Sequence, residues 1–193
     1  MNHVNLQKIN WKIFFNKIDP SIRTHEWFTL FNEWIPGSPE IFVDVADYFH
    51  VVDGPKVILV GHYADYTFDD TGRRYGFLYG SKRDREGDNG KKILSTFAEF
   101  LKRTQQMANH PLFKGKIDLS TNEFLFLIND RGLVPNTPQS FESVKSLLEE
   151  ALKPILGTFS LDLVKDPKQR FQVTLKMKQP KSLDDLVKSI SSF

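Results

Sequence analysis

Asp53-Gly54-Pro55-Lys56-Val57-Ile58-Leu59-Val60-Gly61-His62-Tyr63 is the stretch that decides the fold. Asp-Gly-Pro is turn chemistry: aspartate bonds to nearby backbone, glycine accepts unusual dihedrals and proline fixes φ. Val57-Ile58-Leu59-Val60 is apolar at successive positions, so it presents greasy side chains to both faces and predicts a strand in the middle of a sheet. Residues 41–49 before it and 74–79 after it read as further strands, the second gap being marked by Asp69-Asp70-Thr71-Gly72. Parallel neighbours need a crossover of about a dozen residues or more, and none fits here. Three strands in an antiparallel meander are therefore expected.

Working outward, Ile9, Trp11, Ile13 and Phe15 alternate as a half-buried first strand. Asp19-Pro20 reads as a helix start, and Trp27, Leu30, Phe31, Trp34 and Ile35 follow at helical spacing up to the stop Pro36-Gly37-Ser38-Pro39. A charged loop, residues 81–90, precedes a second helix carrying Ile93, Phe97, Phe100, Leu101 and Met107. Residues 124–128 form a buried strand; Thr137-Pro138 opens a third helix, closed by Gly157. Residues 159–163 and 171–177 alternate as a hairpin with one solvent face, and Ser182-Leu183-Asp184-Asp185 caps a final helix. The whole reads as α+β: one domain over 1–193, with a mixed, mostly antiparallel sheet of about six to eight strands and about four helices. Strand, helix, meander, helix is answered by strand, helix, hairpin, helix, an order consistent with duplicated halves 1–110 and 111–193.

The 193 residues are 40% hydrophobic and include 17 phenylalanines, enough to build a core and exclude a disordered chain. There is no cysteine, which removes disulfides, thiolate catalysis and Cys-type zinc sites. Residues 1–8 lack the basic start and apolar run of an export signal, and no apolar run approaches the ~20 residues that span a bilayer. A cytoplasmic location away from membranes is the expectation. The net charge of +2 calls for no polyanionic partner. Residues 1–80 carry 7 Lys/Arg against 10 Asp/Glu, and 81–193 carry 19 against 14. The basic residues Lys165, Lys168, Arg170, Lys176, Lys178 and Lys181 surround a hairpin where lysine discourages edge aggregation, so nucleic acid is not the expected partner.

The densest polar region spans 44–75. Within it His50 and Asp53, then His62 and Asp65, repeat a His-x-x-Asp spacing, and imidazole with carboxylate is the ligand chemistry of zinc, manganese or iron. Turn aspartates capping backbone and histidines satisfying carbonyls explain the same residues without a ligand. If residues 41–63 form a straight hairpin, His50 and His62 fall at opposite ends, ~20 Å apart at ~3.3 Å per residue, and no shared metal site is assigned. Asn129-Asp130-Arg131 leaves a buried strand at its carboxyl end, a place where ligand groups often sit, although these are also turn residues. No phosphate-binding glycine loop, nucleophile elbow or zincin helix occurs, and no cofactor is implied.

The run from Asp44 to His62, Asp44-Val45-Ala46-Asp47-Tyr48-Phe49-His50-Val51-Val52-Asp53-Gly54-Pro55 and onward, resembles a block in an uncharacterised family of bacterial proteins. Asn129-Asp130-Arg131 with Pro135-Asn136-Thr137 is similar to a second block. The resemblance implies a bacterial cytoplasmic protein and attaches no activity. Two functions remain as expectations. The first is a non-catalytic module binding a small molecule or a protein, including a second copy as a homodimer. The alternative is a small enzyme, a metal-assisted hydrolase centred on His and Asp residues between 47 and 70. Any pocket is expected at a sheet end, with His50 and Asp53 at one rim or His62 and Asp65 at the other, and the turn Asn129 to Arg131 as a candidate neighbour.

Overall fold

The computed structural model describes residues 4–166 and 168–192. In chain order these form β1 (Ile9–Ile18), α1 (Thr24–Trp34), β2 (Phe42–Asp47), β3 (Pro55–Gly61), β4 (Ala64–Asp69), a short 3-10 turn (Thr71–Arg73), β5 (Gly76–Ser81), α2 (Asn89–Asn109), β6 (Ile117–Ile128), α3 (Pro138–Leu156), β7 (Phe159–Leu163), β8 (Phe171–Met177) and α4 (Leu183–Ile190). The strands make one eight-stranded sheet in the order β2-β3-β4-β5-β1-β6-β8-β7. Each of these pairings is antiparallel. The α+β class, the strand number and the four helices agree with the expectation, and the sheet contains no parallel pair among the described residues.

The meander holds four strands where three were expected. His62 and Tyr63 turn the chain after β3, and β4 returns with Tyr66 and Phe68 facing the core between Asp65, Thr67 and Asp69. The acidic residues of this segment look like turn chemistry, yet the period of two is that of a strand. Asp19 makes no helix cap; its Oδ1 accepts from Ser21 N (2.8 Å) in a tight turn, and α1 begins four residues later than Pro20, at Thr24. The other predicted caps hold: Thr137 accepts from Ser140 N, Ser182 from Asp185 N, and Gly157 ends α3 at φ 77°.

All four helices lie on one face of the sheet. Trp27 of α1 stacks on Phe68 of β4 at 4.5 Å, Phe97 of α2 meets Trp11 of β1 at 4.8 Å, and α3 and α4 pack against α2, with α3 also on β7. The core is this interface. Among the described residues the opposite face carries no helix, and one line of registered residues crosses all eight strands on it: Ala46, Ile58, Thr67, Leu78, Lys12, Leu125, Thr174 and Asp162.

β1 was expected to be half-buried; it is central and buried on both faces through Phe14, including Asn10 and Lys12. The Lys12 side chain, 2% exposed, runs across Gly76 of β5 to Asp69 of β4, where Nζ lies 2.6 Å from Oδ2 and also donates to Arg74 O (2.7 Å). Burial pulls the Lys12 pKa below the ordinary lysine range, with Asp69 opposing that shift. Gly76 is glycine because a Cβ there would lie 2.4 Å from Ile13 O and 2.6 Å from Lys12 Cε. Removing the cation strands a desolvated carboxylate, so Lys12→Met is expected to cost about 3–5 kcal/mol in urea unfolding. Gly76→Ala should also destabilise the fold; a wild-type midpoint in either variant would contradict this account of the open face.

Candidate functional site

The predicted residues fall at opposite ends of the sheet. His50 and Asp53 lie between β2 and β3, exposed; the His50 ring sits 6.3 Å from that of Tyr48, and Asp53 Oδ1 accepts from Gly72 N (2.7 Å), tying two loops together. His62 and Asp65 lie at the β3–β4 turn: His62 Nδ1 is 3.5 Å from Arg83 Nη2, and Asp65 Oδ1 accepts from Gly61 N and Lys82 Nζ, each at 3.1 Å. Asn129, Asp130 and Arg131 share that second end, since Ile9 pairs with Ile128 and Gly80 with both Asn10 and Asp65. Three interstrand steps of ~4.8 Å still separate β4 from β6. Asn129 Oδ1 accepts from Arg170 (2.9 Å), Asp130 pairs with Lys8 (2.9 Å), and Arg131 donates to Lys168 O (2.5 Å). Each cluster is thus occupied by local bonds. Among the described residues no group of three His, Asp or Glu side chains is placed to hold a metal ion.

The structure instead concentrates its unburied apolar surface at one sheet edge. Of the eight large hydrophobic residues that remain exposed among the described residues, five lie between 41 and 52: Ile41, Val43, Tyr48, Phe49 and Val52, with Val43 69% and Val52 77% exposed. This stretch contains β2, an edge strand with no neighbour on its outer side among the described residues. Tyr48 N donates to Lys56 O (2.8 Å), and antiparallel alternation then turns the N–H and C=O groups of Val45 and Asp47 away from β3. At the other sheet edge, β7 shows Ser160 and Asp162 to solvent while Phe159, Leu161 and Leu163 are half-buried.

Both ends of β2 are pinned. Ahead of it, Glu40 accepts from Arg103 Nη2 (2.7 Å) and from the Tyr66 hydroxyl (2.9 Å), and the Arg103 guanidinium lies 5.0 Å from the Trp34 ring, 5.3 Å from Tyr66 and 5.6 Å from Phe42. After it, Asp47 Oδ1 accepts from Phe49 N (2.7 Å), and the buried Lys56 ammonium donates to the carbonyls of Val51 and Val52. A cavity of about 310 Å³ opens beside the first anchor, walled by Trp34, Glu40, Tyr66, Glu99, Lys102 and Arg103. A second triad continues inward: the Tyr79 hydroxyl donates to Glu99 (2.6 Å), which Arg85 grips through both nitrogens at 2.6 and 2.8 Å. Sequence reasoning missed all of these. The available signals were the core-facing parity of Tyr66 and Tyr79 and the four-residue spacing of Glu99 and Arg103 on α2.

A comparison of the sequence with models of known protein families and with curated proteins finds no match. Among the described residues no helix is long and apolar enough to cross a membrane.

Burial first, then the neighbouring Glu40 and Glu99 charges, pushes the Tyr66 and Tyr79 hydroxyls above the ordinary phenol range. Above the unfolded phenol value of about 10, the folded state then binds more protons than the unfolded state, so stability falls as pH rises past that value. In a spectrophotometric titration, the tyrosinate signal of these two residues, identified as the amplitude missing from Tyr66→Phe and Tyr79→Phe, should appear only together with alkaline unfolding. Ionisation of either while the fold is intact would contradict the described network.

Proposed function

We propose that this protein is a non-catalytic interaction module that binds an extended segment of another polypeptide along β2. The observation that carries the reading is the clustering of exposed apolar side chains on an edge strand whose outward backbone groups belong to Val45 and Asp47; the Val45 N–H is covered only by the Asp44 carboxylate of the same strand (2.8 Å), a local bond that an incoming strand exchanges for its own. Strand addition draws its affinity from main-chain hydrogen bonds and its selectivity from alternate side chains. The anchors at Glu40 and Lys56 hold β2 in its strand conformation before a partner arrives, which lowers the ordering cost of binding. The His and Asp groups that would serve hydrolysis stand apart, as described above, so the geometry favours binding over the enzymatic alternative.

Val45→Pro separates binding from folding. Proline removes the outward N–H, leaves the β2–β3 ladder intact and is tolerated on edge strands, so the variant should lose no more than about 2 kcal/mol of stability. Peptides selected from a displayed random library on the wild-type protein should fail to bind this variant in a direct affinity measurement. Selected peptides that bind wild type and variant equally would remove β2 as the site.

A further inference from the structure

Resting on the strand-addition reading, we infer that the segment received by β2 is an extended stretch of another protein, apolar and basic, with two cationic side chains three residues apart. Along the chain segment that carries the edge the charge is one-signed, and the two cations that reach it from α2 and β3, Arg103 and Lys56, are already engaged by Glu40 (2.7 Å) and Asp70 (3.5 Å). Between Arg23 and Lys56 the sequence contains no Lys or Arg and six carboxylates, at Glu26, Glu33, Glu40, Asp44, Asp47 and Asp53. Four of the six have partners elsewhere: Glu26 caps α1, Glu33 lies 2.8 Å from His110, Glu40 holds Arg103, and Asp53 holds the Gly72 amide.

Asp44 and Asp47 differ. Each accepts only a local backbone N–H, of Val45 (2.8 Å) and Phe49 (2.7 Å) respectively, and among the described residues neither pairs with a Lys or Arg. Three residues apart on a strand, they project to opposite faces: Asp44 to the open face in register with Val60, Asp47 to the helix face in register with Val57. An incoming strand that bonds to Val45 and Asp47 takes the Val45 N–H from the Asp44 carboxylate, which is thereby released, and sets its own side chains directly opposite Asp44 and Asp47. Cations at two positions three apart then meet both carboxylates, and apolar residues between them lie against Val45 and Ala46. A second copy of this chain fits poorly, because its β2 would bring the same acidic, cation-free edge against itself.

The test uses labelled valine-rich peptides of about eight residues, a length that matches a typical strand, read by fluorescence anisotropy against the full chain. One peptide carries two lysines three apart; others replace these with serine or with glutamate, and one is N-methylated along the bonding edge. The lysine peptide should bind about threefold to tenfold more tightly than the serine peptide, as expected of two exposed ion pairs. That advantage should vanish in Asp44→Asn/Asp47→Asn and in molar salt, and the glutamate peptide should bind most weakly. Equal binding of the lysine and serine peptides, with N-methylation abolishing both, overturns the basic partner and leaves strand addition standing. Failure of every peptide, or indifference to N-methylation, overturns both. A dimer in light scattering that Val45→Pro dissolves identifies the occupant as a second copy and likewise overturns the basic partner.

Discussion

The helices of this protein cover one face of an antiparallel sheet, and the strands at its centre must therefore be satisfied on the other face without them. Lys12 meets that constraint. Its side chain starts on β1, passes over the missing side chain of Gly76 and ends on Asp69, crossing a whole strand beneath Arg74 and the turn that follows β4. A buried ion pair gains little net free energy, because both charges leave water, but it is severe toward alternatives in which either partner stands alone. Asp69 is further committed through Thr71, accepting from both its hydroxyl (2.8 Å) and its backbone N–H (3.1 Å), so the pair fixes the β4–β5 connection as well as the strands.

That connection passes order to the sheet edge. Asp70, next in the chain, lies 3.5 Å from the Lys56 ammonium, and Lys56 in turn holds the carbonyls of the β2–β3 loop. Asp53 in that loop is bonded back to Gly72. The apolar residues Tyr48, Phe49 and Val52 are thus displayed by a loop whose backbone is tied to the centre of the open face. The Arg103, Glu40 and Tyr66 cluster does the same at the start of β2, on the helix side. The edge strand is held by two charge networks that reach it from opposite faces of one sheet.

Period and punctuation made most of this fold legible. Val57-Ile58-Leu59-Val60 located a strand, although it lies one step from the β2 edge with Ile58 and Val60 half-buried and not in the middle of the sheet, and the Thr137, Ser182 and Gly157 signals placed helix ends, because those features act within a few residues. β4 was obscured because the residues on its helix-free face, Asp65, Thr67 and Asp69, are the same types that build turns, although Thr67 and Asp69 are buried; only Tyr66 and Phe68 betray it. The two-sided burial of β1 was hidden by Lys12, whose burial depends on a partner 57 residues away. The site was less legible still. His50, Asp53, His62 and Asp65 drew attention by residue type, whereas the exposed residues of 41–52 look in sequence like ordinary strand and core material. What distinguishes them is that β2 ends the sheet, a property of strand order that no local pattern encodes.

An open apolar edge carries a hazard of self-association, and the residues around β2 limit it in ways that also shape what can bind. A β-bulge falls between Phe42 and Asp44, so regular pairing geometry begins only at Asp44. Bulges and edge charges are the devices by which sheet proteins prevent indiscriminate edge-to-edge contact. Here the charges are carboxylates without compensating cations, so the devices that repel another copy of this strand are attractive to a basic one. A single short run, Asp44 to Asp47, is left for pairing, too short to support a promiscuous aggregate on backbone bonds alone. In the proposed strand addition, selectivity therefore rests on the side chains along and beside that run, Asp44 and Asp47 within it and Val43 and Tyr48 flanking it.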